Sequence, residues 1–402
     1  MKQALSGVKI ADFTWVAAGS FVTRILADCG ATVVKIESSS RPDPLRSEYP
    51  YAENIPGINR SATFATYNPN KYGIALNLNT SKGQDIARRL VKWADIVTEN
   101  FSPGTMERWN LAYSDLVKSK PDIIMLSTNM QGSTGTYAKQ PGFGNMLQAL
   151  TGFTALLGWP DRGPVGTQLA YTDYIAPYYA AIAIVLALEH RQRFGEGQYI
   201  DQSQLEAGIS FLSSPVLNYT VNKVIDGAMG NRCYYAAPHG AYRCQGNDRW
   251  CAIAIFTDEE WESLCKITGS RALTENRFAT LLKRKQNEDE LDRLIEQWTI
   301  NQRAEDVVEI LQSSGIAAGL VETGEDLHRD PQLKHRKHFW FMEHPEIGLV
   351  SSSAPPFRMT KTPPRPRLPA PCLGEHTKFV CTEFLQMSET EFTELEKEGV
   401  FR

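Results

Sequence analysis

Residues 8–36 read VKIADFTWVAAGSFVTRILADCGATVVKI, and this stretch decides the fold. Its apolar run at 8–13 predicts a β-strand, and the run at 32–36 predicts a second one. Between them, residues 20–28 have the pattern of a helix, and Gly30 marks its end because glycine commonly follows a last helical turn. Strand, helix and strand in this order predict a βαβ unit.

The alternation of strand and helix continues further along the chain. Helices are predicted over 83–93 and 105–109, and strands over 95–98 and 122–127. This order favours an α/β fold with a Rossmann-like parallel sheet and helices on both of its faces. The loop after the first strand, at 14–19, reads TWVAAG rather than GxGxxG, so we expect no dinucleotide site there.

Changes in residue composition and pattern along the sequence predict two domains. Residues 1–223 are expected to form the N-terminal part of a large Rossmann-like domain, and residues 224–325 a small α+β domain. Residues 326–402 are expected to return to the large domain. Within them, the segment 361–371, KTPPRPRLPAP, has too many prolines for a helix and predicts an extended strap.

Composition limits the classes of function. The 402 residues are 42% hydrophobic and carry a formal net charge of −4, so we expect a globular protein without a basic surface for nucleic acid. The longest apolar segment, 175–188, is shorter than the roughly 18 residues that span a bilayer, and no membrane partner is expected. Seven widely spaced cysteines without a CxxC pair, and a first strand that leaves no room for a signal peptide, predict a cytoplasmic location.

Two other kinds of site are not expected. His335 and His338 are three residues apart, but no carboxylate motif accompanies them, so a metal site is disfavoured. Residues 132–135 read GSTG rather than GxSxG, which disfavours a serine hydrolase.

Asp173 is the strongest candidate for a reactive side chain. It lies where the polar segment 166–172 meets the apolar segment 174–183, so we expect it to begin a helix, with Pro177 in the first turn. Two interpretations are open at this point: Asp173 caps the helix, as aspartate often does, or it serves as a nucleophile. The helix N-terminus is expected to favour the ionised carboxylate.

Short motifs spread over the chain add to this interpretation. In order they are LSGVKIADF at 5–13, ADCGATVVKIE at 27–37, NPNK at 68–71, ENFSPG at 99–104, GEGQ at 195–198 and GEHT at 374–377. They resemble, in the same order, motifs of the class III CoA transferases. That family includes formyl-CoA transferase and carnitine CoA transferase, and it shares its fold with α-methylacyl-CoA racemase.

The resemblance implies an acyl-CoA:carboxylate CoA transferase in which Asp173 matches the catalytic aspartate. In that chemistry the aspartate attacks the donor thioester, an aspartyl anhydride and then an aspartyl-CoA thioester form, and an acceptor carboxylate attacks. CoA is then a substrate bound by the large domain, and no cofactor is bound permanently. The resemblance also implies an interlocked homodimer, with a heteromer of homologous chains as the other possibility.

The resemblance places the ligands against residues from several parts of the chain. For CoA these are Val16, Ala17 and Ala18 at the pantetheine end, Arg46 and Arg108 near phosphates, and Leu76, Asn100 and Phe101 around adenine and ribose. Lys35 is expected to be either a phosphate contact or a surface charge at a strand end. The expected acyl pocket comprises Trp15, Phe143, Gly144 and His239.

Departures from the family pattern concern the substrate. Ser102 stands where a basic residue is common in the family. Ser38 and Asn79 stand where formyl-CoA transferase has basic residues, and Ala17 stands where it has a glutamine. Because Ala17 leaves more apolar room, we expect an acid larger than oxalate.

Two alternatives to a catalytic transferase stay open. A racemase of the same fold needs an acid and a base on opposite faces of the α-carbon, and racemases of this fold take a histidine from the segment that is 140–145 here. That segment has no histidine, which disfavours racemisation. The other alternative is a CoA-binding partner subunit of a heteromeric transferase.

Overall fold

The computed structural model describes residues 2–402, and its strands and helices follow in chain order. The strands are β1 (Lys9–Asp12), β2 (Thr32–Glu37), β3 (Lys71–Ala75), β4 (Ile96–Glu99), β5 (Ile124–Asn129), β6 (Tyr199–Ser203), β7 (His239–Arg243), β8 (Trp250–Ala254), β9 (Ala317–Leu320), β10 (Phe339–His344) and β11 (Gly348–Ser353). The first nine helices are α1 (Val16–Asp28), α2 (Ala62–Tyr67), α3 (Ser81–Trp93), α4 (Thr105–Arg108), α5 (Tyr113–Ser119), α6 (Gly144–Thr151), α7 (Phe153–Leu156), α8 (Thr172–Phe194) and α9 (Gln204–Phe211). The others are α10 (Ser213–Asn222), α11 (Asp258–Thr268), α12 (Leu281–Gln286), α13 (Glu288–Thr299), α14 (Ala304–Ser313), α15 (Gly324–Arg329), α16 (Pro331–Arg336), α17 (Thr377–Phe379) and α18 (Glu389–Lys397).

The chain divides into two compact units. The larger comprises residues up to Thr154, Gly166–Ile225 and Gln332–Arg402, and the smaller comprises Ala155–Val165 and Asp226–Pro331. The divisions lie at 225/226 and 331/332, whereas 223/224 and 325/326 were expected, so residues 326–331 belong to the smaller unit. The assignment of Ala155–Val165 to the smaller unit was not indicated by the sequence.

A six-stranded sheet forms the centre of the larger unit. Its strand order is β3-β2-β1-β4-β5-β6, and every neighbouring pair is parallel. The prediction of an α/β fold with a Rossmann-like parallel sheet is therefore confirmed. The two edge strands, β3 and β6, were not predicted.

Both faces of the sheet are buried. Because successive side chains of a strand point to opposite faces, each strand contributes residues to a core on either side. On β1, Ile10 belongs to a core cluster with residues of α1 and α8, whereas Ala11 belongs to a second cluster with residues of α3 and α18. Helices therefore cover the sheet on both sides, as the alternation of elements predicted.

The strand order reverses between β1 and β4, the two central strands. In open parallel sheets, the loops that leave the C-terminal ends of such strands border a crevice where ligands bind. Here these loops are residues 13–15 and 100–104. The topology thus points to this edge of the sheet.

The proline-rich segment 361–371 contains no helix or strand. The backbone N–H groups of Arg367 and Leu368 donate to Oδ1 of Asn70 at 2.6 and 3.1 Å, and the Asn70 N–H donates to the Leu368 carbonyl at 2.9 Å. The Arg367 guanidinium donates to the carbonyls of Ala27 and Ala31. These bonds attach the strap to the larger unit.

The smaller unit contains the antiparallel sheet β7-β8-β9 and the helices α11 to α14. Its core includes Trp261, Leu264, Phe278 and Leu291, all buried. α11 begins with a capping box, in which Thr257 and Glu260 each bond the other's backbone N–H. Within residues 2–402, no helix of either unit is long and apolar enough to cross a bilayer.

Candidate active site

Asp173 is the second residue of α8, which begins at Thr172. The N-cap position is Tyr171, and the carboxylate of Asp173 accepts no hydrogen bond and has no ion-pair partner among residues 2–402. Asp173 therefore does not cap the helix. Pro177 lies in the second turn of α8, so its expected place in the first turn was wrong by a few residues.

Burial raises the pKa of Asp173 from 3.8 to about 6. The sequence-based expectation was the opposite, since a helix N-terminus favours the charged form. Loss of water around the half-buried carboxylate is the larger effect, because no backbone N–H group bonds it in compensation. The group is still largely ionised above pH 7, and as a poorly solvated carboxylate it is suited to nucleophilic attack.

Asp173 lines a cavity of about 200 Å³. The other walls come from the first residues of α1 and α9, the loop after β4, the end of β5 with the residue after it, and the segment 138–144. They are Val16, Ala17 and Ala18; Asn100, Phe101, Ser102 and Pro103; Asn129 and Met130; Ala138, Lys139, Gln140, Pro141, Gly142, Phe143 and Gly144; and Gln204. The predicted residues Val16, Ala17, Ala18, Asn100, Phe101, Phe143 and Gly144 are thus brought together with Asp173.

Asn100 connects the loops after β1 and β4. Its Nδ2 donates to the Trp15 carbonyl at 2.7 Å, and its Oδ1 accepts from the Trp15 N–H at 2.8 Å. Val16, which follows Trp15, has a φ of 59°, and this is a costly conformation for a residue with a β-branched side chain. The Val16 N–H donates to Oδ1 of the buried Asp43 at 3.0 Å, so Asn100 and Asp43 together hold the strained turn at the cavity wall.

A second cavity, of about 420 Å³, lies on the other side of Phe101 and Ser102, which line both. Its walls include Trp15, Arg41, Leu76 and Arg108. The Phe101 ring packs edge-to-face against Trp15 with a centroid separation of 5.5 Å, and the Arg41 guanidinium lies 5.6 Å from the Trp15 centroid. Trp15 was expected in the acyl pocket, but it lines this second cavity instead.

Lys35 and Arg46, two expected phosphate contacts, line neither cavity. The Lys35 ammonium is fully buried, 2.9 Å from Oδ2 of Asp43. The buried Arg46 guanidinium bonds Glu37 at 2.7 and 2.8 Å and lies 3.6 Å from the Phe64 centroid. Because buried charges need such partners, both residues have structural contacts in place of phosphate contacts.

His239, the fourth expected member of the acyl pocket, lies at the start of β7 in the smaller unit. Its ring nitrogen bonds the Asn231 carbonyl, and the side chain lines cavities of that unit with Arg232. It is not among the residues that line the Asp173 cavity. Its position after a turn gave no information about which cavity it borders.

Sequence reasoning missed three residues of this region. Arg41 lies three residues after Ser38, which stands where formyl-CoA transferase has a basic residue. The closeness of Arg41 to that position was the available signal. Lys139 lies just before the segment 140–145, and no motif of the sequence singled it out. Asp43 had no signal, because its contact with Val16 joins residues 27 positions apart. Residues 2–402 contain no group of three or more His, Cys, Asp or Glu side chains placed to hold a metal ion.

Comparison with known proteins shows the family of the chain. The model of CoA-transferase family III matches residues 5–377. The chain is 30% identical over 397 residues to succinyl-CoA–D-citramalate CoA-transferase of Chloroflexus aurantiacus, covering 98% of each chain. It is 30% identical over 393 residues to succinate–glutarate CoA-transferase of Agrobacterium fabrum, covering 97% of this chain and 98% of that one. The crystal structure of a CAIB/BAIF family protein from Brucella suis superposes with a TM-score of 0.88 at 30% identity, covering 96% of this chain and all of that one.

Proposed function

This chain belongs to CoA-transferase family III, and from that premise we propose that Asp173 carries the transferred group during catalysis. The protein is a CoA transferase that moves CoA from an acyl-CoA thioester to a free carboxylic acid. The observation that carries the proposal is the unpaired, poorly solvated carboxylate of Asp173 in a cavity at the switch point of the sheet.

The reaction proceeds in two symmetric halves. The Asp173 carboxylate attacks the thioester carbonyl, CoA leaves as the thiolate, and a mixed anhydride forms. The thiolate then attacks the aspartyl carbonyl, which releases the donor acid as a carboxylate and leaves an aspartyl-CoA thioester. The acceptor carboxylate attacks this thioester, and the same two steps run in reverse order to give the new acyl-CoA and free Asp173.

The two cavities support a placement for CoA. The nucleotide end lies in the larger cavity, where the guanidinium groups of Arg41 and Arg108 have no acidic partner among residues 2–402 and suit phosphate oxygens. Leu76 and Trp15 supply apolar contacts there. The pantetheine arm passes Phe101 and Ser102, which line both cavities, and brings the thioester to Asp173.

The acid is larger than oxalate and is a dicarboxylic acid. The relatives act, by their names, on citramalate, succinate and glutarate. Ala17 and Phe143 line the cavity without adding a charged or hydrogen-bonding side chain, which leaves apolar room for the carbon chain of such an acid.

A trapping experiment tests the covalent role of Asp173. The purified protein is mixed with a panel of acyl-CoA thioesters and hydroxylamine, and the peptides are mapped by mass spectrometry alongside Asp173→Ala. We expect a hydroxamate at Asp173 that depends on the donor and is absent from the variant. An unmodified Asp173 with every thioester would contradict the proposal and would favour a partner-subunit role.

The racemase alternative has less support. It needs a second proton-transfer group across the α-carbon, and no histidine lines the Asp173 cavity. Exchange of the α-proton with deuterium from solvent, in the absence of any acid acceptor, would be the result that favours it.

We also propose that the chain forms a homodimer, interlocked as the family resemblance implies, and that it works in the cytoplasm. Helices α8 and α10 expose many large apolar side chains, among them Ile182, Leu186, Leu217 and Val221 at 57 to 67%. Such a surface is unusual for a monomer. All seven cysteines are free, which suits a reducing compartment. Light scattering of the purified protein would show the mass of two chains.

A further inference from the structure

We propose that Lys139 selects the acid, by binding the distal carboxylate of a dicarboxylic acid whose other carboxylate reacts at Asp173. This inference rests on the proposed function, because it names the residue that recognises the acid class proposed above.

Lys139 and Asp173 are the charged residues among the walls of the 200 Å³ cavity. All other lining residues are apolar, amide, hydroxyl or glycine residues. The Lys139 side chain is exposed and has no hydrogen bond or ion pair within residues 2–402. Lys139 therefore lines the cavity that contains Asp173, and its ammonium has no partner among the described residues.

The two charges share the cavity without forming a pair. No salt bridge joins them within 4.0 Å among the described residues, and the pKa of Asp173 is raised by burial with no opposing contribution from a nearby cation. An ammonium within about 4–6 Å would favour the charged carboxylate and oppose that rise. A gap therefore separates Lys139 from Asp173, and a dicarboxylic acid has an anionic group to place at each end of it.

The backbone holds Lys139 in place while its side chain remains available. The Gln140 N–H donates to the Tyr137 carbonyl at 2.9 Å, which closes a turn around Lys139. The Gln140 side chain also accepts from Nε2 of Gln131 at 2.8 Å, tying the two ends of the loop together. A fixed backbone lowers the entropy lost when the ammonium binds a ligand.

CoA phosphates are a less suitable ligand for this ammonium. Arg41 and Arg108 provide guanidinium groups in the second cavity, beyond Phe101 and Ser102. Lys139 lines only the cavity that contains Asp173, where the thioester and the acid meet. Its position therefore matches the acyl group and not the nucleotide end.

The test compares succinyl-CoA with butyryl-CoA, since their acyl chains have equal length and only succinyl has a distal carboxylate. The rate of hydroxamate formation at Asp173 is measured for both donors in the wild type, Lys139→Ala and Lys139→Arg. Lys92→Ala serves as the matched control, because Lys92 is an exposed lysine of α3 that lines neither cavity.

We expect Lys139→Ala to lower the second-order rate constant of Asp173 labelling by succinyl-CoA about tenfold, the usual scale for a charge-assisted hydrogen bond, and to leave the rate constant with butyryl-CoA unchanged. Lys139→Arg should keep most of the preference, and Lys92→Ala all of it. Equal losses with both donors would show a CoA contact and overturn the inference, as would no change with either donor. A wild type that labels Asp173 but prefers butyryl-CoA would refute the role of Lys139 alone. A wild type that labels with neither donor, nor with the wider panel, would refute the proposed function itself.

Discussion

Gly144 lies so close to Asp173 that a β-carbon at position 144 would be 2.6 Å from Oδ1 of the aspartate. The same β-carbon would be 2.4 Å from Cβ of Ala170, in the turn that leads into α8. Real β-carbons do not approach other atoms so closely, so either the carboxylate or the turn must move to accept a side chain. The glycine is therefore required by space and not by an unusual backbone angle.

Gly144→Ala is expected to lower kcat at least tenfold, because the reacting carboxylate is displaced by a distance that matters for attack geometry. The KM for the acyl-CoA donor should change little, since the contacts of the second cavity remain. Steady-state kinetics check both values. Gly166→Ala is the matched control, because a β-carbon there meets no atom within 4 Å, and a loss of kcat of equal size in that variant would contradict this explanation.

Asp173→Asn is expected to abolish transfer and to stabilise the fold at alkaline pH. Folding raises the pKa of Asp173 from 3.8 to about 6, so the folded state binds the proton more tightly and the free energy of unfolding falls as pH rises through this interval. The asparagine side chain at position 173 does not ionise, so the variant does not lose this part of the free energy of unfolding, which is up to about 3 kcal/mol for a pKa shift of this size. Urea denaturation at pH 4 and pH 8 should show a gain at pH 8 only, and a less stable variant at pH 8 would contradict the pKa direction.

Asn100→Ala is expected to act on the turn at Trp15 and Val16. It removes both bonds to the Trp15 backbone, which costs about 1–3 kcal/mol, and releases the strained Val16 from one of its two supports. We expect a lower free energy of unfolding and a higher KM for the donor, measured on the same preparation. A raised KM with unchanged stability would instead indicate that Asn100 contacts CoA directly.

Lys35→Met and Arg108→Ala should have different effects, because Lys35 is expected to stabilise the fold and Arg108 to bind the donor. Removing the Lys35 ammonium leaves the buried Asp43 carboxylate without its ion-pair partner, which is expected to cost about 3–5 kcal/mol of stability. The exposed Arg108 side chain bonds only the Thr105 hydroxyl within residues 2–402, so its loss should leave stability unchanged and raise the donor KM several-fold. Thermal melts and donor titrations check the pair, and a stable Lys35→Met variant with weakened donor binding would restore the phosphate role for Lys35.

Parts of the fold could be predicted from local sequence pattern because the central strands are short segments rich in apolar residues. β1, β2 and β5 were predicted in this way, and their side chains are buried on both faces of the sheet. The edge strand β6, with the sequence YIDQS, was missed because half of it faces solvent and carries polar residues. Ala155–Val165 was missed as part of the smaller unit because a loop has no periodicity that shows where it packs.

The sequence by itself determined the alternating α/β order, the family, and Asp173 as the residue at the start of a helix. Each of these depends on residues close together in the chain or on motifs in a fixed order. Only the tertiary structure decided which charges are available to a ligand. It buried Lys35 against Asp43 and Arg46 against Glu37, and it left Lys139 and Asp173 unpaired in one cavity. The physical reason is that solvation and pairing of a charge depend on residues that only folding brings together.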